Sequence, residues 1–205
     1  MQWDAIVDLY ERHAADFDRD RGRMLQEKAW LDRFLAHVPP SGTVLDLGCG
    51  VGRPMADYML DSGFRVVGID SSRSMIDICR ARFPDSRWIV ADMRELDMGE
   101  RFDAILAWDS FFHLHMDDQR RMFPRFSAHA LPGAPLMFTS GPSHGEAIGS
   151  YCGEPLYHAS LASSEYEMLL AGNGLDVVSH LAEDPECGGH TVWLARCRNT
   201  PSPVA

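Results

Sequence analysis

The sequence predicts an α/β fold of the doubly wound kind: a seven-stranded, mainly parallel sheet with an antiparallel last strand, plus helices at the N-terminus. Three observations carry this expectation. From Thr43 onward, short apolar runs alternate with helical patterns, which implies parallel strands whose connecting helices cover both faces of the sheet. The first run opens into a glycine-rich loop, Leu45-Asp46-Leu47-Gly48-Cys49-Gly50-Val51-Gly52, before the first helix of the series. The last two apolar runs are separated by a turn alone, which favours antiparallel pairing.

The elements follow in order. The first 40 residues read as two helices, with Ile6, Leu9 and Tyr10 on one face and Leu25, Trp30, Phe34 and Leu35 on another. Pro39-Pro40-Ser41-Gly42 stops the second. Strands are expected at 43–47, 65–69, 87–90, 102–107, 135–139, 175–180 and 190–196. Helices are expected at 53–62, 72–83, 117–130 and 161–171, the third kinked or broken at Pro124. The expected organisation is one domain over 1–200, with a helical cap over 1–40, a core over 41–200 and a tail at 201–205.

Composition narrows the function classes. The 205 residues are 45% hydrophobic and 24% charged, which suits one domain with a sizeable core. A formal net charge of -11 repels phosphate backbones, so nucleic acid is not the expected partner. No apolar run approaches the roughly 20 residues that cross a membrane. The N-terminal stretch lacks the basic-then-apolar pattern of a secretory signal. Five cysteines without CxxC spacing argue against a disulfide framework or a structural zinc site. A cytoplasmic monomer or homodimer acting on a small molecule is expected.

The loop has a specific spacing, Asp46-x-Gly48-x-Gly50-x-Gly52. A dinucleotide fingerprint from Gly48 requires glycine at position 53, where Arg53 stands. The second strand ends in Asp70, and the third runs on to Ala91-Asp92-Met93. In an open α/β sheet, ligands sit at the carboxyl ends of the strands. A carboxylate there accepts two hydrogen bonds from a ribose diol, and charged acceptors make the stronger kind. The bland alternative is that Asp70 and Asp92 only cap turns.

On these residues the chain resembles the class I S-adenosylmethionine-dependent methyltransferases, whose fold is Rossmann-like. The resemblance covers about residues 40–140. It implies S-adenosyl-L-methionine as cofactor, held by Asp46, Gly48, Gly50 and Gly52 of the first motif. It further implies Asp70 at the ribose, with Ser71 and Met75 after it, Asp92 and Met93 beside the adenine, and Trp108 after the fourth strand. The remaining readings are an NAD(P)-dependent oxidoreductase, disfavoured by Arg53 and by the absence of a Tyr-x-x-x-Lys pair, and a binding protein without catalysis. Lys28 is the only lysine.

Methyl transfer demands alignment of acceptor and methyl, and a base where the acceptor carries a proton. Candidates lie after the fourth and fifth strands. If the segment after the fourth strand makes a helical turn, Asp109 and His113 share one face, and the carboxylate orients the imidazole as a catalytic pair. The alternative for His113 is a core histidine bonded to a backbone carbonyl. His144, Tyr157 and His190 are candidate substrate residues, on a loop, a lid and the last turn. No metal is assigned, since Cys187, His190, Asp109, His113 and His144 lack fixed ligand spacing. Tyr10, Phe17 and Trp30 are the cap aromatics available to close the cleft, or simply to pack.

Overall fold

The computed structural model describes residues 5–21 and 24–199. The tail expected at 201–205 lies outside them. Nine strands and seven α-helices are described. A seven-stranded sheet has the order β3-β2-β1-β4-β5-β9-β8. Its strands are β1 (Thr43–Leu47), β2 (Arg65–Asp70), β3 (Arg87–Val90), β4 (Ala104–Ala107), β5 (Pro135–Ser140), β8 (Leu175–Asp184) and β9 (His190–Cys197). The first five pair in parallel, and β9 runs antiparallel to both neighbours, as the sequence predicts.

Strand order reverses between β1 and β4. Each strand alternates its side chains between two apolar layers. Leu45, Leu47, Ile105, Phe138 and Trp193 pack on one face. Val44, Val66, Leu106, Met137 and Leu194 pack on the other. The first layer is closed by α6 (Met116–His129) and α7 (Ser163–Gly172), the second by α3 (Lys28–Leu35), α4 (Met55–Asp61) and α5 (Arg73–Arg82).

Four expectations are corrected. The cap has three helices, not two, because the first divides into α1 (Ile6–Arg12) and α2 (Ala14–Asp20) at His13, whose φ of -109° and ψ of 20° interrupt the helix. Helix α6 runs through Pro124 unbroken. Pro124 is exposed, while Met122, Phe123 and Phe126 anchor the buried face.

The segment after β5 is a β-hairpin rather than a loop and lid. Strands β6 (Gly145–Tyr151) and β7 (Glu154–Ser160) pair antiparallel outside the main sheet. They are joined by Cys152 (φ 49°) and Gly153 (φ 79°), and two positive φ values make the tight turn that matches strand twist. Cys-Gly is an unusual sequence for that turn, which hid the hairpin. Finally, β8 extends to Asp184 through two register shifts.

Candidate active site

A cleft of about 400 Å³ opens at the carboxyl ends of β1, β2 and β4. Its volume suits a small-molecule ligand. One end is built by the glycine loop. Gly48 has φ +72°, and a Cβ there would stand 2.2 Å from the Ser110 Cβ. Ser110 is fixed by donating its hydroxyl to the Leu47 carbonyl at 2.6 Å. The loop therefore needs glycine for both conformation and room. Gly50 donates its N–H to Asp70 Oδ2 at 2.9 Å, and Ser72 N–H reaches Oδ1 at the same distance.

Asp70 thus ties the loop to the end of β2 while lining the cleft. Burial holds its carboxyl above the ordinary range, against the pull of those two N–H groups. Asp92 lines the cleft and also caps a short 3₁₀ turn, accepting from the Arg94 N–H at 2.8 Å and from its guanidinium. Burial pushes the Asp92 carboxyl up, but Arg94 outweighs it and holds the group low.

Ser71, Met75 and Met93 line the same end. Three residues assigned to the cofactor by resemblance do not line the cleft. Asp46 is buried beneath the loop, where desolvation and the Asp70 charge lift its carboxyl to about 7. Gly52 faces Phe83 and Cys79 on the far side of the loop. Trp108 is buried, its ring 5.3 Å from that of His190.

The cap closes this end. Glu11 accepts from Ser72 Oγ, Ser74 N–H and Ser74 Oγ at 2.6 to 3.0 Å, and these bonds hold its carboxyl down at about 2. Helix α1 is thereby pinned to the N-terminal turn of α5. Phe17 of α2 stands over Gly50.

The other end is polar and assembled from distant segments. The expected pairing of Asp109 with His113 is not formed. Asp109 has φ +48°, held by its N–H to Thr139 Oγ1 at 2.9 Å, and Phe111–His113 is a 3₁₀ turn, so the α-helical i, i+4 geometry is lost. Asp109 instead pairs with His190 Nε2 at 3.0 Å. His190 Nδ1 meets the Cys187 carbonyl at 2.6 Å, so both ring nitrogens donate. The hydrogen bond to Asp109 lifts the His190 pKa to about 9, making the pair ionic at neutral pH.

His113 Nδ1 meets the Tyr157 carbonyl at 2.8 Å. A carbonyl only accepts, so Nδ1 carries the proton and Nε2 accepts from the Tyr10 hydroxyl at 3.1 Å. Burial pushes the His113 pKa down to about 4, and the ring is neutral. The backbone-bonded histidine considered as the alternative is therefore realised, but at the wall of the cleft. Burial also raises the Tyr10 hydroxyl pKa, with the Asp109 and Asp70 charges adding to it.

Of the three substrate candidates, His190 alone lines the cleft. His144 lies on a separate depression with Ser143 and Glu146. Tyr157 is 1% exposed, with its hydroxyl on Glu146 at 2.9 Å. It contributes its backbone carbonyl to His113. The strand alternation that turns Tyr157 away presents Leu156 and His158 to the cleft. The hairpin residues and Phe112 were missed. Burial alternates from Leu156 to Ala159, but the residue types Leu-Tyr-His-Ala do not, so the sequence carried no period-2 signal here.

Residues 44–133 match the family model of a methyltransferase domain. The chain is similar to the dTDP-3-amino-3,6-dideoxy-alpha-D-glucopyranose N,N-dimethyltransferase of Streptomyces fradiae, with 32% identity over 130 residues, 62% of this chain and 49% of that one. It spans about half the length of the curated relatives it matches.

Among solved structures, the S-adenosylmethionine-bound amino pentose methyltransferase of Micromonospora echinaspora superposes with a TM-score of 0.69 at 20% identity, covering 90% of this chain and 95% of that one. The magnesium protoporphyrin IX methyltransferase of Synechocystis gives 0.72 at 16%, covering 96% and 97%. The described chain has the fold of the class I S-adenosylmethionine-dependent methyltransferases, and residues 44–133 are the part that matches the methyltransferase-domain model.

Proposed function

We propose that this chain is an S-adenosylmethionine-dependent methyltransferase acting on a small-molecule acceptor. The single observation that carries the reading is the glycine loop bonded through Gly50 N–H to Asp70, beside a cleft whose far end is walled by Asp109, His190, Tyr10 and Phe112. The loop spacing, the named activities of the relatives and the bound ligands of the structural neighbours support it. The donor set fits the cofactor: Asp70 lines the cleft with a carboxylate whose two oxygens each accept one N–H and can accept more, and Gly48 and Gly50 line the cleft beside it without side chains. Bound there, S-adenosylmethionine supplies an electrophilic methyl on a sulfonium.

The chain's residues then act at the acceptor. Tyr10, Phe17 and Phe112 exclude water, and alignment supplies much of the rate. Asp109, held by His190, hydrogen-bonds the acceptor's N–H or O–H and takes up the released proton. His113 is already neutral and occupied at both nitrogens, so we assign it the positioning of the Tyr10 hydroxyl. An amine acceptor is favoured by the similarity to amino-sugar methyltransferases. No helix among the described residues is long and apolar enough to cross a membrane, and all five cysteines are free, which supports a cytoplasmic setting.

Calorimetric titration tests the cofactor directly. Micromolar binding of S-adenosylhomocysteine and no binding of NAD is expected; the reverse overturns the reading. Methyl transfer to a panel of amino sugars then separates an enzyme from a binding protein.

A further inference from the structure

A second cluster of chemically competent side chains lies outside the cleft, where the cap meets the hairpin. His13 stands between α1 and α2, and Asp16 is three residues on, on the same face. Across the gap is the β6–β7 turn with Cys152. One ligand atom from each of these three residues lies within 4.8 Å of the others.

The His13 Nδ1 to Asp16 Oδ2 separation is 3.4 Å. That is the edge of a tetrahedron whose metal–ligand bonds are about 2.1 Å. The opposite ring nitrogen, Nε2, is 2.7 Å from Glu154 Oε1. A carboxylate on the non-ligating nitrogen is the usual outer partner of a metal-bound histidine, fixing tautomer and ring orientation.

Cys152 is exposed, unlike the other four cysteines. It holds φ 49° at a turn position where Asn, Asp or Gly would be easier. Local conformation does not account for a cysteine there.

We propose that His13, Asp16 and Cys152 bind zinc or a similar borderline divalent cation, with water in the fourth position, and that the ion fastens the cap to the hairpin. Thiolate, imidazole and carboxylate together select such an ion over magnesium or calcium. On binding, the cation takes the Nδ1 lone pair of His13 and displaces the Cys152 thiol proton, which leaves to solvent, with a second proton released when the ring starts as an imidazolium. No redox change is involved. The consequence for the cleft follows from which elements are joined. Tyr10 and Phe17 come from the cap, and Leu156 and His158 from the hairpin, so the ion would hold two walls together. The site shares no ligand with the cleft and stands whether or not the methyltransferase reading does.

The test uses the full chain, reduced and chelator-treated. Cobalt(II) titration should give one equivalent with a thiolate-to-metal charge-transfer band and the visible bands of a four-coordinate ion, displaced by zinc. Binding should have a Kd of about 10 µM or tighter. Cys152→Ser should abolish the charge-transfer band, and His13→Gln should weaken binding at least tenfold (about 10- to 100-fold is typical even of outer partners). Glu154→Gln should weaken binding by about tenfold while keeping the band. Cys197→Ser should bind as the wild type does. Circular dichroism checks that each variant is folded. A wild-type titration without the charge-transfer band, or a band that persists in Cys152→Ser, overturns the site. Zinc should also slow amide exchange over residues 145–160, and unchanged exchange in a zinc-loaded protein overturns the fastening role.

Discussion

At the loop end of the cleft, the groups that matter are close in sequence. Gly50 and Asp70 are 20 residues apart and meet because β1 and β2 are adjacent parallel strands. At the opposite end, Tyr10 and His113 are 103 residues apart, and Asp109 and His190 are 81 apart. The first end is made of backbone amides, glycines and acids at successive strand ends. The second is made of side chains brought in by the cap, the hairpin and the antiparallel strand β9. One crossover unit fixes the Gly50–Asp70 bond at the centre of the first, although Ser110 and the cap complete that end; only the completed fold creates the second. On the proposed function, cofactor and acceptor therefore have separate structural supports, and substitutions should divide the same way.

The largest expected effect is at the acceptor end. Asp109→Asn keeps shape but removes the proton-accepting charge, and should lower turnover by about 10²–10⁴-fold with S-adenosylhomocysteine affinity nearly unchanged. Turnover and calorimetry on the same preparation decide it. Equal losses in both would erase the distinction between the two ends.

Asp70→Ala should do the opposite. Losing a charged hydrogen bond of about 1.5–3 kcal/mol predicts about ten- to hundredfold weaker S-adenosylhomocysteine binding. Unchanged affinity would reduce Asp70 to a turn residue that ties Gly50 to Ser72.

Tyr10→Phe and His113→Asn should each reduce turnover by about tenfold, from loss of one net hydrogen bond of about 1 kcal/mol or slightly more. The double variant should be little worse than either single, because the two act through one contact. Independent, multiplying losses would show that His113 does not work through Tyr10.

The smallest effect is on stability. The folded pKa of His190 is raised to about 9, above its ordinary 6.5. Its ion pair with Asp109 therefore contributes fully below about pH 6.5, and the contribution is lost as pH rises through 9. The melting temperature should fall over that window more steeply in the wild type than in His190→Gln. Parallel slopes would mean that the pair is not ionic.

The sequence alone was most informative where chemistry and spacing are local. The Asp46–Gly52 spacing, the strand-end acids and the alternation of runs led to the fold and to Asp70, Asp92, Gly48 and Gly50 at the cleft. It failed at Asp109 and His113 because an i, i+4 spacing only puts residues on one face if the segment is an α-helix. Here Asp109 is left-handed and the turn after it is 3₁₀. It failed at 145–160 because the Cys152-Gly153 turn lacks the usual Asn-Gly signal, and a missed hairpin took Leu156 and His158 with it. Tyr10 was visible as an aromatic on a helix face, but nothing nearby in sequence says that this face meets His113.

What the sequence by itself determined is the succession of the seven main-sheet strands and the core helices between them, the glycine loop and the carboxylates at the ends of β2 and β3. These follow from periodicity and from backbone conformations that few residues tolerate. What only tertiary structure decided is which histidine pairs with Asp109, which proton His113 carries, and which cap and hairpin atoms meet at His13 and Cys152. Hydrogen-bond partners and burial set those states, and both depend on residues that come together only when the chain closes over its own sheet.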